Sequence, residues 1–139
     1  MLRLGAQLQE TDDALVQAEQ FGLGGAQSVR GYDERASSND RGYGMNLELY
    51  TPELASWLNL NGSVRGLCFI DGGTLARNHR LPSETGETIV NRLRSIGIGL
   101  RASIGKTWTL SSDLGYVIDA ASNRERSAQR AHFNLIGTF

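Results

Sequence analysis

The 139-residue chain carries 14 basic and 15 acidic residues, which gives a formal net charge of −1. Proteins that bind nucleic acid typically have an excess of basic residues, so no nucleic-acid partner is expected. Its 17 glycines have no period of three and its prolines number 2, which excludes collagen, and Cys68 is the single cysteine, which excludes a disulfide-stapled scaffold. No apolar run approaches the roughly 18 residues of a membrane-spanning helix.

Alternation of apolar and polar residues predicts six β-strands. In chain order they occupy residues 1–9, 43–50, 60–71, 95–104, 107–119 and 130–139. A period of two indicates strands with one apolar face, not helices. Their lengths approach the roughly 9–11 residues that a tilted strand needs to cross a bilayer, and exceed the roughly 5–6 residues common in soluble sheets.

The connections between these segments are predicted to alternate between long and short. The long ones cover residues 10–41, 74–91 and 121–129, and the short ones lie around Pro52 and Gly105. This order predicts an antiparallel up-and-down meander with loops at one end and turns at the other, as in outer-membrane barrels.

The two faces of the predicted strands differ in chemistry. Trp108, near the turn at Gly105, and terminal Phe139 are expected at the periplasmic interface. The aromatic residues expected on the apolar face are Tyr43, Trp108, Tyr116, Phe133 and Phe139. The polar face, which would line the lumen of a barrel, carries Glu48, Arg65, Asp71, Arg101, Asp113 and Asn134.

Six strands are fewer than the roughly eight that close a transmembrane barrel. The barrel interpretation therefore predicts that the chain is the C-terminal piece of a longer protein, or that it pairs with something else. The N-terminus shows no secretory signal, which agrees with a missing beginning.

Two short motifs resemble those of a known family. The first, in the long connection 10–41, consists of Val29, Arg30, Gly31 and Tyr32. The second, on the third predicted strand, consists of Phe69, Asp71 and Gly73 at alternate positions. Together they resemble the haemolysin-activator family of two-partner secretion transporters, within the outer-membrane superfamily that joins periplasmic POTRA domains to a C-terminal barrel. The flanking Leu23-Gly24-Gly25 and Asp33-Glu34 resemble the haemolysin-activator form of the loop more closely than the assembly-factor form.

The resemblance implies a fold and a function for residues 1–139. They would form the last six strands of an all-β, antiparallel barrel of about sixteen strands, with residues 10–41 as a loop folded into the lumen. The protein would sit in the bacterial outer membrane and export a large exoprotein of the haemolysin or adhesin type, without nucleotide hydrolysis. Its partners would be that exoprotein, the lipid bilayer with its lipopolysaccharide, and the barrel-assembly machinery; no enzyme activity, catalytic residue, cofactor or metal is expected.

Arg30 and Asp71 are predicted to contact each other. Asp71 belongs to the polar face of its strand, and Arg30 lies in a loop long enough to reach that face. A bidentate arginine–carboxylate pair away from bulk water would hold the loop against the sheet. Gly24, Gly25 and Gly31 would allow the tight turns and close backbone approach that this path needs.

The last predicted strand carries a further resemblance. Phe133, Leu135 and terminal Phe139 alternate up to the end of the chain, like the C-terminal signal that barrel-assembly machinery reads. The alternative is an ordinary edge strand.

Two other functions stay open at the level of sequence. One is an assembly factor of the same superfamily, which inserts other barrels. The other is a soluble all-β binding module, whose apolar strand faces would have to meet in a two-sheet core.

Overall fold

A computed structural model describes residues 1–57, 59–78, 90–105, 107–119 and 128–138. These residues form eight β-strands: β1 (Leu2–Gln9), β2 (Phe21–Leu23), β3 (Ser37–Asn39), β4 (Arg41–Tyr50), β5 (Gly62–Ala76), β6 (Val90–Ile104), β7 (Trp108–Val117) and β8 (Gln129–Gly137). In the part of the chain so described, no helix is long and apolar enough to cross a membrane.

Six of the strands form one antiparallel sheet in the order β1-β4-β5-β6-β7-β8. Strands that neighbour each other in this sheet also follow each other along the chain, except that the hairpin β2–β3 is inserted between β1 and β4. The hairpin forms a separate two-stranded sheet. The predicted all-β, up-and-down meander of six strands is therefore confirmed, with β1 and β8 at its two edges. The hairpin was not predicted, because strands of 3 residues are too short to show a period.

The central strands are longer than predicted. β5 and β6 contain 15 residues each, so the prediction that the third strand ends at Asp71 and that the fourth begins at Ser95 was wrong. The glycines that follow Asp71 indicated a strand end, yet Gly73 lies inside β5 and pairs with Gly44 and Leu93. A glycine inside a strand commonly marks a close approach by another part of the chain.

The predicted alternation of long and short connections is only partly correct. The connection 51–61 is as long as the connection 118–128, because β5 begins only at Gly62. Glu53 organises the first of these connections: its carboxylate accepts hydrogen bonds from the Ser63 hydroxyl at 2.6 Å and from the amides of Val64 at 2.5 Å and Ala55 at 3.1 Å. The Ser63 hydroxyl, followed by these two amides, lowers the pKa of the Glu53 carboxyl to about 2.

One face of the sheet, called the outer face below, is apolar and exposed. A row of apolar side chains lies in register across five strands: Leu4, Leu47, Ile70, Ile96 and Tyr116. These five are between 40% and 65% exposed. The described residues contain no second sheet over this face, so the two-sheet core required by the soluble-module alternative is absent from them.

The opposite, inner face is covered by the connection 10–40. Leu23, Val29 and Tyr32 of this connection are buried against side chains of β5, β6 and β7. The sheet supplies Leu75, Leu93 and Val117 to the same cluster. The inner face therefore combines polar and small residues with a small apolar core, whereas the sequence predicted a face of polar or small residues only.

Glycines let the connection approach the sheet. A side chain at Gly73 would place its Cβ 2.4 Å from Leu23 Cδ1, and one at Gly115 would place its Cβ 2.6 Å from the amide nitrogen of Gly31. Gly31 itself has a φ of 96°, in the region that favours glycine. The backbone of the connection thus rests directly on β7.

We predict that Gly115→Ala loosens the connection 10–40. The added methyl group would meet backbone atoms of Arg30 and Gly31, and overpacking of this kind costs about 1–3 kcal/mol. Tryptic cleavage after Arg35, measured on the detergent-solubilised protein, should therefore become about tenfold faster.

Gly5→Ala is the matched control for this experiment. Gly5 also lies on the inner face, but a Cβ there would be in ordinary contact, 3.5 Å from Asn46 Oδ1. Cleavage in this variant should match the parent protein. Equal rates for Gly115→Ala and Gly5→Ala would contradict the close packing of the connection on β7.

Candidate functional site

The connection 10–40 carries a buried arginine to the middle of the inner face. Arg30 is only 3% exposed. Gly24 and Gly25 precede it with φ angles of 114° and 98°, and the Ser28 hydroxyl bonds to the amide and carbonyl of Gly24. This tight turn directs the chain into the sheet just before Arg30.

Arg30 makes a bidentate ion pair with Asp71, as the sequence predicted. Its Nε lies 2.7 Å from Asp71 Oδ2 and its Nη2 lies 2.8 Å from Asp71 Oδ1. The backbone amide of Arg30 also donates to Oδ2, at 3.1 Å. Asp71 is fully buried, and Asn46 Nδ2 donates to its Oδ1 at 3.1 Å. The connection is therefore joined to β5 through both its side chain and its backbone.

Two further carboxylates surround the same guanidinium. Arg30 Nη1 donates to Glu48 Oε1 at 2.7 Å and lies 3.6 Å from Asp113 Oδ1. Sequence reasoning placed both acids on the polar face but did not identify them as partners of Arg30. Finding them requires the register of β4, β5 and β7, which alternation alone does not give.

Other arginines balance the charge of these acids. Arg101 forms a bidentate pair with Asp113, with both bonds at 2.9 Å. Glu48 accepts a hydrogen bond from the Tyr50 hydroxyl at 2.8 Å and lies 3.7 Å from Arg3 Nη1. Because an unpaired buried charge is strongly destabilising, the cluster is stable only when these partners are present together. We call Arg30, Glu48, Asp71, Arg101 and Asp113 the Arg30 cluster.

Phe69 forms the floor of the cluster. The guanidinium carbon of Arg30 lies 3.5 Å from the centre of the Phe69 ring, which is a cation–π contact. Gly97 makes room for the ring, since a Cβ at that position would lie 2.3 Å from Phe69 Cζ. Phe69, Asp71 and Gly73 thus share the inner face at alternate positions: the first stacks on Arg30, the second pairs with it, and the third admits Leu23.

The neighbours of Arg30 in the first motif also contact the sheet. Val29 is 1% exposed within the apolar core. The Gly31 amide donates to His132 Nε2 at 3.4 Å, and the Tyr32 hydroxyl donates to the carbonyl of Asp119 at 2.6 Å. The contact of Gly31 with His132 was not predicted from the sequence. The four motif residues together contact all of the strands from β4 to β8 and the residues that follow β7.

The predicted C-terminal residues lie apart from this cluster. Phe133 and Leu135 project from the outer face of β8, at the edge of the sheet, and are 70% and 53% exposed. Phe139 lies outside the described residues.

A polar cavity of about 450 Å³ adjoins the Arg30 cluster. Its lining includes Arg3, Glu34, Arg101, Asp113 and His132, so charges of both signs face it. Among the described residues, no group of three or more His, Cys, Asp and Glu side chains could hold a metal ion. The arrangement can hold a segment of chain in place, and it offers a charged, hydrated surface beside that segment.

Comparison with known proteins identifies the family. The model of the family described as haemolysin secretion/activation protein ShlB/FhaC/HecB matches residues 2–102. The chain therefore belongs to this family, whose members are outer-membrane transporters of two-partner secretion. The matched range contains both motifs and extends from β1 to near the end of β6. No curated protein and no solved structure matches the chain.

We predict that Asp71→Asn destabilises the protein far more than Glu48→Gln. The first change removes the carboxylate that Arg30 contacts through three nitrogen atoms, and breaking a buried pair costs about 3–5 kcal/mol. The second removes the charge that accepts one hydrogen bond from Arg30 and one from the Tyr50 hydroxyl, and should cost about 1.5–3 kcal/mol. Denaturant unfolding in detergent, followed by tryptophan fluorescence, measures both.

Glu10→Gln serves as the control, since it removes a carboxylate from the exposed Arg41–Glu10 pair, whose atoms lie 3.4 Å apart. Exposed pairs contribute about 0–1 kcal/mol. If Asp71→Asn costs no more than Glu10→Gln, Arg30 does not depend on Asp71.

Proposed function

We propose that residues 1–139 form the C-terminal portion of the wall of an outer-membrane pore that exports a large exoprotein of the haemolysin or adhesin type. The complete barrel would have about sixteen strands. The connection 10–40 would lie in its lumen, held there by the Arg30 cluster. Transport would proceed without nucleotide hydrolysis or a cofactor.

The outer face supports a position in the bilayer. On β6, apolar side chains alternate from Ile96 to Ile104, and eight steps of about 3.4 Å span roughly 27 Å along the strand. At the strand tilt of about 35–45° found in transmembrane barrels, this length covers roughly 19–22 Å of height, most of their apolar band of about 25 Å. Ile104 and Trp108 lie opposite each other at the turn end of this band, where an interfacial aromatic residue is expected.

The sheet edges support a larger barrel. β1 pairs only with β4, and β8 only with β7, so each presents one row of unpaired backbone groups among the described residues. In hydrocarbon each unpaired group costs several kcal/mol. Further strands, pairing with both edges, would remove this cost.

The single observation that carries the proposal is the buried pair of Arg30 with Asp71. It joins the longest connection to the inner face of a sheet whose outer face is apolar and exposed. An ion pair at a water-filled surface would contribute little, whereas a buried pair that stacks on Phe69 can hold the connection in one position. Such a fixed segment would narrow the lumen and define the path of the exoprotein.

The other proposed partners follow from the same arrangement. The polar cavity beside the Arg30 cluster would form part of the lining that the exoprotein passes. The lipid bilayer would contact the outer face, and barrel-assembly machinery would read Phe133 and Leu135 on the exposed strand β8 together with Phe139. The family is described by secretion and activation, which favours export over the alternative of an assembly factor.

An export assay tests this proposal. Arg30→Ala in the full-length protein should lower the amount of exoprotein in the medium at least roughly tenfold. Loss of a buried ion pair costs about 3–5 kcal/mol, which would destabilise the position of the connection 10–40 on the inner face by that amount. The measurement compares secreted and cell-associated exoprotein, with the transporter quantified in outer-membrane fractions.

Arg41→Ala is the matched control, because it removes an arginine whose pair with Glu10 is exposed. We expect its secretion to equal that of the parent. Normal secretion by Arg30→Ala, at normal outer-membrane levels, would refute a role for the Arg30 cluster in export.

A further inference from the structure

A second group of polar side chains lies on the outer face, at the end of the sheet that carries the connections 10–40, 77–89 and 118–128. Tyr43, Thr74 and Arg92 are in register across β4, β5 and β6. Arg94 follows two residues further along β6, and the apolar band begins after it at Ile96. The polar row therefore borders the apolar band directly.

Arg92 supplies a positive charge at this border that no described residue balances. Its side chain is exposed and makes no ion pair with any described residue. Arg94, in contrast, forms a bidentate pair with Asp119, at 2.5 and 2.9 Å, which leaves that pair neutral overall. The group as a whole thus favours an anion next to Arg92.

A shallow cavity of about 420 Å³ lies between these side chains, lined by Tyr43, Met45, Thr74, Arg92 and Arg94 together with two glycines. The Thr74 hydroxyl donates to the Tyr43 hydroxyl at 3.4 Å, so the Tyr43 proton can point outward. Met45 provides an apolar side facing the band. The cavity therefore offers a guanidinium and a phenol to a polar head, and apolar side chains to the tail attached to it.

We propose that this cavity binds a phosphate group of lipid A, the lipid portion of lipopolysaccharide. The inference rests on the proposed function, because that function places the end with the long connections at the outer leaflet, which consists of lipopolysaccharide. Arg92 would bind the phosphate through its paired N–H groups, as guanidinium groups do. Tyr43 would donate a further hydrogen bond, and the acyl chains would lie along Met45, Ile70 and Ile96.

Binding of purified lipid A to the full-length, detergent-solubilised protein tests the proposal, with native mass spectrometry as the readout. Arg92→Gln should weaken binding about tenfold, the effect of losing one hydrogen bond to a charged group. Arg92→Lys keeps the charge and should retain part of the affinity. Lipid A without its phosphates should bind the unaltered protein as weakly as intact lipid A binds the Arg92→Gln variant.

Arg65→Gln is the control, since it removes the same charge from the inner face near the opposite end of the sheet. We expect it to bind lipid A like the parent. Unchanged binding by Arg92→Gln would overturn the site, and so would equal binding of lipid A with and without phosphates. Phosphatidylglycerol that binds as tightly as lipid A would overturn the assignment to lipopolysaccharide.

The location and export activity of the unaltered protein show whether a negative result counts against the lipid site alone or also against the proposed function. If that protein is absent from the outer membrane, both proposals fail. If it resides there and exports its exoprotein, and Arg92→Gln still binds lipid A normally, only the lipid site fails.

Discussion

A buried guanidinium has to be paired, and this constraint determines how the connection 10–40 lies on the sheet. Arg30 is 3% exposed and contacts Asp71, Glu48 and Asp113. If the connection left the sheet, the Asp71 carboxylate would lose its ion pair and hydrogen bonds with Arg30. The cost of an uncompensated charge therefore favours one position of the connection over others.

The positions of the glycines follow from this contact. Arg30 can reach Asp71 only if its backbone comes close to the sheet, and Gly115 and Gly73 leave the space for Gly31 and Leu23. Small residues on the inner face thus receive the connection, whereas bulky apolar residues on the outer face stay exposed. The two faces differ because one meets the protein's own chain and the other, on the proposed function, meets lipid.

Much of this arrangement could be predicted from sequence, and the remainder could not for identifiable reasons. Alternation revealed the six long strands, and the two motifs indicated the contact of Arg30 with Asp71, because each signal is local. The contact of Arg30 with Glu48 depends on strand register, which alternation does not give. The strands of the hairpin β2–β3 are too short to show a period. The length of β5 was underestimated because Gly73 serves a tertiary contact inside a strand, where glycine otherwise suggests a turn.

Disulfide formation between the connection and β5 tests the central claim most directly. The Arg30 amide donates to the Asp71 carboxylate at 3.1 Å, so the backbone of the connection lies beside the Asp71 side chain. In the full-length protein with Cys68→Ser, Arg30→Cys and Asp71→Cys should crosslink in cells under oxidising conditions, while Arg41→Cys with Asp71→Cys should not. Absence of the first crosslink in protein that has reached the outer membrane would show that the connection does not lie where the Arg30 cluster requires it.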